Sequence, residues 1–247
     1  MTGTLLAFDT ATERAFVAVV AQGRVREREI EGGARASALF LPGLLGLLAD
    51  EGIGLSALDA IAFGRGPGAF TGLRVAASVA QGLAFGAAKP VLPIDTLLAI
   101  AEDARADRAT LRTWVAIDAR MDEIYAAEYA CAGGEWRTLT APMLTTVEGL
   151  NARWSADPPD AIAGAALQAY ADRLRCGSAA LFPHALPRAS ALLRIAQARW
   201  ARGEAVAAAE ALPLYVRDRV AQTTAEREAT KALTPAAAAA AVAGAGG

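Results

Sequence analysis

The stretch AIAFGRGPGAFTGLRVAASVAQGLAFG, residues 60–86, contains the features that set the fold class. An apolar run at 60–63 predicts a buried strand, a glycine-rich loop follows it, and the residues from 70 to 88 predict a helix. A buried strand that leads directly into a helix is typical of α/β folds, in which helices cover the faces of a partly parallel sheet.

The glycine loop, residues 64–74, lies where backbone N–H groups and a helix N-terminus favour an anion. Its candidate nucleotide-binding residues are Gly66, Gly68, Thr71 and Gly72. The loop lacks the lysine of a Walker A motif, and its G-x-G-x-x-A pattern has no ribose-binding acid at the usual distance. The alternative is a strand-to-helix turn whose glycines permit positive φ angles, with Thr71 or a neighbouring backbone group near the helix N-cap. The sequence leaves both interpretations open.

The same alternation extends on both sides of this stretch. Before it, the sequence predicts strands at 4–8, 15–20 and 24–30 and a helix at 36–49. After it come a strand at 91–94 and a helix at 96–107, so the order is βββαβαβα. The second half of the chain repeats this pattern. Its sequence predicts strands at 114–117, 124–129 and 136–139, an apolar segment at 161–163, and helices near 146–152, 167–174 and 190–202. The chain is therefore interpreted as two copies of one α/β architecture, the second abbreviated.

A second candidate for nucleotide binding lies at the end of the first strand. Asp9, Thr10 and Thr12 offer a carboxylate and two hydroxyls that could hold a hydrated magnesium ion and a phosphate. Asp and Thr also stabilise turns by bonding to nearby backbone, so a hydrogen-bonded hairpin turn explains them equally well. His184 is the only histidine, which excludes a histidine-rich metal site, and no catalytic or metal-ligating residue is predicted.

Composition limits the compartment and the partners. The chain has 247 residues and a net charge of −2, so no bulk attraction to nucleic acid or to an anionic membrane is expected. Two distant cysteines favour a reducing compartment over a disulfide framework. No signal peptide is recognised, and the longest uncharged stretches are shorter than the ~20 residues of a spanning helix. We therefore expect a cytoplasmic protein without membrane contact.

Two helices carry an unusual apolar surface. Neither 36–49 nor the helix from residue 75 to 88 contains a charge, whereas a helix on one face of a sheet should present a polar stripe to water. The sequence therefore predicts a protein–protein interface on these helices. The alternative is that the second half of the chain covers them. The predicted interface residues are Phe40, Leu41, Leu44, Leu48, Gly72, Leu73, Ala76, Ala80 and Leu83.

Five blocks of the chain resemble the TsaB (YeaZ) family in order and separation. They are LLAFDTATERAFVAV, the loop-and-helix stretch quoted above, PVLPIDTL, AIDARMDEIYAAEY and LPLYVRDRVA. The resemblance implies an actin-like (ASKHA) α/β fold of two tandem ribonuclease-H-like lobes. It places the first lobe, with the dimerisation helices, at 1–110 and the second at 111–227, whose last segment can return to the first lobe. An Ala/Gly-rich low-complexity tail follows at 228–247.

The resemblance also implies a function. TsaB proteins are non-catalytic partners of TsaD, their catalytic paralogue, in the complex with the ATPase TsaE that makes N6-threonylcarbamoyladenosine in tRNA. A homodimer when alone and contact with tRNA only through the complex are expected. Thr96 and Ile100 occupy the positions of the two metal-binding histidines of TsaD, so no cofactor is expected beyond weak binding of ATP or ADP with magnesium. The alternative is an actin-fold ATPase or small-molecule kinase that uses Asp9 and the loop 66–72. Direct tRNA binding through Arg217, Arg219 and Arg227 is a third, disfavoured interpretation.

Overall fold

The structure of the protein, a computed structural model, describes residues 3–32 and 36–217. The predicted tail, together with Arg219 and Arg227, lies outside the described residues. Internal contacts group Met1–Val216 into one unit. Within the described residues, no helix is both long and apolar enough to cross a bilayer.

The strands of the first half of the unit are β1 (Leu5–Asp9), β2 (Arg14–Ala21), β3 (Arg24–Glu31), β4 (Ala60–Gly66) and β5 (Val91–Asp95). They form a five-stranded sheet in the order β3-β2-β1-β4-β5. The first three strands are antiparallel, and β4 and β5 add to β1 in parallel. Parallel strands require crossover connections, and a helix accordingly precedes each of β4 and β5 in the sequence.

Helices cover both faces of this sheet. The helices are α1 (Ala36–Asp50), α2 (Phe70–Ala87) and α3 (Thr96–Arg105). Alternate β1 residues face opposite sides, because the side-chain period of a strand is two. Leu6 and Phe8 pack in one core cluster with α1 and α2, whereas Leu5 and Ala7 pack in the other with α3. The predicted order βββαβαβα is confirmed.

The elements of the second half are β6 (Thr110–Asp118), β7 (Glu123–Ala132), β8 (Glu135–Thr146), α4 (Val147–Ala156), β9 (Ala161–Ala163), α5 (Ala166–Ala169), β10 (Ala180–Phe182) and α6 (Ala189–Ala201). They repeat the plan of the first half, with a sheet in the order β10-β9-β6-β7-β8. Three antiparallel strands come first, and β9 and β10 are added in parallel. The predicted helix at 167–174 is wrong in its second half, because the chain turns after Ala169. Strand β10 was not predicted. The two-lobed α/β architecture is confirmed.

The end of the described chain returns to the first sheet. Helix α6 packs on β1 and β2, and Val206 forms an antiparallel bridge with Val91 of β5. Further on, the N–H of Leu214 donates to the carbonyl of Arg65 at 2.7 Å. Residues that are distant in sequence therefore cover the edge of the first sheet and support the glycine loop.

Buried Glu102 joins three parts of the unit. Its carboxylate accepts hydrogen bonds from Arg105 on α3, from Arg194 on α6 at 2.6 Å, and from the indole N–H of Trp136 on β8 at 2.8 Å. Burial opposes ionisation of Glu102, but these donors outweigh it and hold its pKa below the usual value. The carboxylate therefore contributes to the packing of α3, α6 and β8 together.

Candidate functional site

The carboxylate of Asp9 lies at the carboxyl end of β1 and is completely buried. Oδ1 accepts the N–H of Ala11 at 2.7 Å, and Oδ2 accepts the hydroxyl of Thr96 at 2.6 Å. The same Thr96 hydroxyl accepts the N–H of Gly66 at 3.1 Å. Burial raises the pKa of Asp9 to about 6, although both hydrogen bonds favour the charged form.

The two threonines after Asp9 are also engaged by the backbone. The hydroxyl of Thr10 is buried and donates to the carbonyl of Gly72 at 2.6 Å. The hydroxyl of Thr12 donates to the carbonyl of Arg14 at 2.7 Å. These bonds favour the hydrogen-bonded turn over the magnesium site, since each side chain completes local backbone structure.

The glycines of the loop allow β1 and its turn to approach closely. A Cβ on Gly64 would lie 1.7 Å from Oδ2 of Asp9, and one on Gly72 would lie 1.9 Å from the carbonyl oxygen of Thr10. A Cβ on Gly68 would lie 2.5 Å from the carbonyl oxygen of Ala11. Gly66 has a φ of 108°, which only glycine adopts without strain. The close packing alone therefore requires glycine at these positions.

Of the two predicted ways to cap α2, the structure has a backbone N-cap near Thr71 and no cap by the Thr71 side chain. Helix α2 has Ala69 as its N-cap and no side chain bonds there. Thr71 lies one residue inside the helix and is exposed.

These residues do not fit a magnesium-bound nucleotide. Asp9 is inaccessible to solvent and each of its oxygens accepts a hydrogen bond from the chain, so a hydrated cation could not reach this carboxylate without a change in the surrounding structure. Thr96 and Ile100 are equally buried. Among the described residues, no three His, Cys, Asp or Glu side chains are grouped as a metal site would need. Of the candidate nucleotide-binding residues, Thr12, Thr71 and the partly buried Gly68 reach the surface.

The structure corrects the predicted interface on α1 and α2. Most of its residues face the sheet and belong to the core of the chain: Phe40, Leu44, Leu48, Gly72, Leu73, Ala76 and Ala80 are buried. The stripe of small residues on α2 therefore packs within the chain. Only Leu41, which is 39% exposed, and the partly buried Leu83 retain surface that a partner could contact.

The outer face of the two helices is nevertheless apolar. Leu45 is 40% exposed on α1, one turn after Leu41, and Phe85 is 63% exposed on α2. Gly82 and Gly86 have open space where a Cβ would stand. We call this the outer helix surface; its residues are Leu41, Leu45, Val75, Ser78, Val79, Gly82, Leu83, Phe85 and Gly86.

The sequence analysis missed Leu45, Val75, Val79 and Phe85 as surface residues. The i, i+4 spacing of Leu41 and Leu45 places them on one face, and this spacing was available in the sequence. Because α1 is apolar all round, the spacing alone did not show which face was outward.

One end of the outer helix surface is closed by an aromatic contact. The ring of Tyr215 lies 5.6 Å from that of Phe70, and the guanidinium of Arg74 stacks on Phe70 at 3.9 Å. A shallow groove follows along α2; it is lined by Phe70, Thr71, Arg74, Val75, Ser78 and Val79. The groove continues the apolar face toward the glycine loop.

The fold and these features define a class of protein: a two-lobed actin-like α/β chain whose first-strand carboxylate is closed off by its own residues.

The family model described as "TsaD: tRNA N6-adenosine threonylcarbamoyltransferase" matches residues 35–245. The tRNA threonylcarbamoyladenosine biosynthesis protein TsaB of Haemophilus influenzae is 35% identical over 88% of this chain and 94% of its own. TsaB of Escherichia coli is 34% identical over 88% and 96%. The structure of YeaZ from Pseudomonas aeruginosa has a TM-score of 0.78 at 41% identity, over 86% of this chain and 99% of that one. The chain belongs to the TsaB (YeaZ) family, which includes these two tRNA threonylcarbamoyladenosine biosynthesis proteins.

Proposed function

We propose that this chain is a non-catalytic scaffold subunit of the complex that makes threonylcarbamoyladenosine in tRNA, and that its outer helix surface binds a TsaD-like catalytic subunit. A TsaE-like ATPase completes the complex, and tRNA is contacted through the complex. The observation that carries the proposal is the exposed apolar face formed by Leu41, Leu45 and Phe85 on two adjacent helices. Exposed apolar residues grouped on one face mark association surfaces.

The shape of this surface supports a helical partner. Ser78, Gly82 and Gly86 are small and exposed along α2, and the two glycines have open space beside them. Small residues let the backbone of another helix approach closely, and apolar side chains on either side then lose contact with water. The same face, used by two copies, would form the homodimer when no other subunit is present.

The closed environment of Asp9 supports a role other than catalysis. An actin-fold ATPase or kinase would need this carboxylate to reach a magnesium ion, and Asp9 is buried with both oxygens engaged. Calorimetry with ATP and magnesium tests this alternative. Tight binding with turnover by the isolated chain would favour the enzyme over the scaffold.

Single charges on the outer helix surface test the scaffold. Leu45→Asp and Phe85→Asp should fold, since both side chains are already exposed. Each should weaken association with the TsaD-like subunit at least tenfold, because an unpaired charge is costly inside an apolar contact. Affinity is measured by calorimetry, and modified tRNA is measured with the reconstituted complex.

Leu181→Asp on β10 is the matched control, because Leu181 is 50% exposed and lies outside the outer helix surface. It should bind and support modification like the wild type. Wild-type affinity and activity in both helix variants would exclude this surface as the site of association.

A further inference from the structure

Arg74 is an exposed charged residue at one end of the apolar face of α2. The helix contains no Asp, Glu, Lys or Arg from residue 75 to 88. Residues at intervals of four lie on one side of a helix, so the row that begins at Arg74 continues through Ser78, Gly82 and Gly86. These three small residues are exposed. A partner helix that packs along them therefore meets the guanidinium group at the end of the row.

Two aromatic side chains hold this guanidinium group in place. It stacks on the ring of Phe70 at 3.9 Å, and its Nε donates to the hydroxyl of Tyr215 at 3.3 Å. The rings of Tyr215 and Phe70 are themselves in contact, with 5.6 Å between their centroids. Because the group is already oriented, little conformational entropy is lost when a partner binds it.

The charge of Arg74 is not balanced by a neighbouring acid. Within the described part of the chain, no carboxylate pairs with its guanidinium group. The acids at the end of α1, Asp50 and Glu51, pair with arginines of β3. Helix α2 begins at Phe70, so the positive end of its dipole lies on the same side as Arg74. The rim of the outer helix surface is therefore positive at this end.

The outer helix surface of a second copy offers Arg74 no carboxylate. None of the residues that form this surface is Asp or Glu. In a symmetric dimer the same patch faces itself, so two Arg74 side chains and no carboxylate of the surface would be brought together. Burying a charge without a partner is costly. A carboxylate on a different subunit removes this cost, because arginine forms a bidentate ion pair with it.

We propose that Arg74 makes the outer helix surface selective for the TsaD-like catalytic subunit over a second copy of this chain, by pairing with a carboxylate that the catalytic subunit presents beside its apolar contact. The inference rests on the proposed function, because it assigns a charged contact to the same surface. The buried apolar area stabilises the complex with either partner, whereas the ion pair discriminates between them.

Arg74→Gln and Arg74→Glu test this ion pair. Arg74 is exposed, so both variants should fold. The affinity for the purified catalytic subunit, measured by calorimetry, should fall at least about tenfold in Arg74→Glu and by a smaller factor in Arg74→Gln. The homodimer, measured by analytical ultracentrifugation, should not weaken in Arg74→Gln, since this change removes a buried charge that has no partner. The readout is the ratio of the two affinities, because a structural defect would weaken both associations.

Arg137→Glu is the matched control, because Arg137 is exposed on β8 and lies outside the outer helix surface. It makes the same change of charge and should bind both partners as the wild type does. Acidic residues of the catalytic subunit are then changed to lysine one at a time, and one of these changes should restore binding to Arg74→Glu. Wild-type affinity of Arg74→Glu for the catalytic subunit overturns the ion pair. An equal loss in both associations, or the absence of any restoring change, also overturns it.

The failure of this inference differs from the failure of the proposed function. If Leu45→Asp and Phe85→Asp lose the catalytic subunit while Arg74→Glu retains it, the ion pair is excluded and the scaffold stands. If all three variants retain it, the outer helix surface itself is excluded as the site of association.

Discussion

The hydroxyl of Thr96 donates a 2.6 Å hydrogen bond to Asp9, 87 residues earlier in the chain. This bond joins the start of α3 to the end of β1 and occupies one oxygen of the buried carboxylate. The other oxygen accepts the N–H of Ala11. The pair therefore keeps the Asp9 carboxylate inside the chain, and it makes the stability of the fold depend on the protonation of Asp9.

Asp9 should give the protein a specific pH dependence. Its pKa is raised by burial from 3.8 to about 6, so the folded state binds a proton more tightly than the unfolded state does. The free energy of unfolding should therefore fall as the pH rises through this window, by about 3 kcal/mol from this group. Asp9→Asn removes this titration. The free energy of unfolding of the variant, measured by urea denaturation, should therefore increase relative to that of the wild type from pH 4 to pH 7. Parallel pH profiles of the two proteins would contradict the assignment.

Substitution of a glycine by alanine should destabilise the protein in the glycine loop and stabilise it at the exposed glycines of α2. Gly72→Ala forces a Cβ against the carbonyl oxygen of Thr10, which belongs to the backbone and cannot move away cheaply. We expect a loss of at least about 3 kcal/mol in the free energy of unfolding. Gly82→Ala, with open space in the same helix, should instead gain about 1 kcal/mol. Guanidinium titrations compare the two, and similar effects would show that close packing does not require Gly72.

Substitutions of two neighbouring leucines on α1 should have very different effects on the free energy of unfolding. Leu44 is fully buried and Leu45 is 40% exposed. Leu44→Ala should cost about 2–5 kcal/mol because it leaves a cavity under the helix. Leu45→Ala should change the free energy of unfolding by less than about 0.5 kcal/mol. Equal losses in the free energy of unfolding, measured by chemical denaturation, would mean that α1 is rotated about its axis relative to the structure.

Glu102 should be critical for the packing of α3, α6 and β8. Glu102→Gln leaves the guanidinium groups of Arg105 and Arg194 without their carboxylate and should cost about 3 kcal/mol or more. Glu29→Gln, at an exposed pair with Arg14, should cost at most about 1 kcal/mol. In the wild type, the contribution of Glu102 is present above its unfolded pKa of 4.5 and is lost as the pH falls through the lowered folded value. Urea titrations of both variants at neutral pH, and of the wild type into acid, measure these effects; equal costs would exclude a special role for Glu102.

The sequence by itself determined the order of the elements, since strand and helix periodicities differ and each half repeats three strands before its helices. It also carried the blocks that identify the family. It did not determine which side of α1 faces the sheet, because that helix is apolar all round and its pattern has no polar stripe.

Only the tertiary structure decided three further points. It paired Asp9 with Thr96, a contact that no local pattern encodes. It showed that the loop glycines serve close backbone approach, a need that depends on what lies opposite each Cα. It also placed three residues with positive φ angles at 120–122, where the sequence has no glycine, and it joined Asp118 to Tyr170 and Asp122 to Arg173 by hydrogen bonds. Local periodicity fixes elements, whereas burial, close contact and backbone strain arise when distant residues meet.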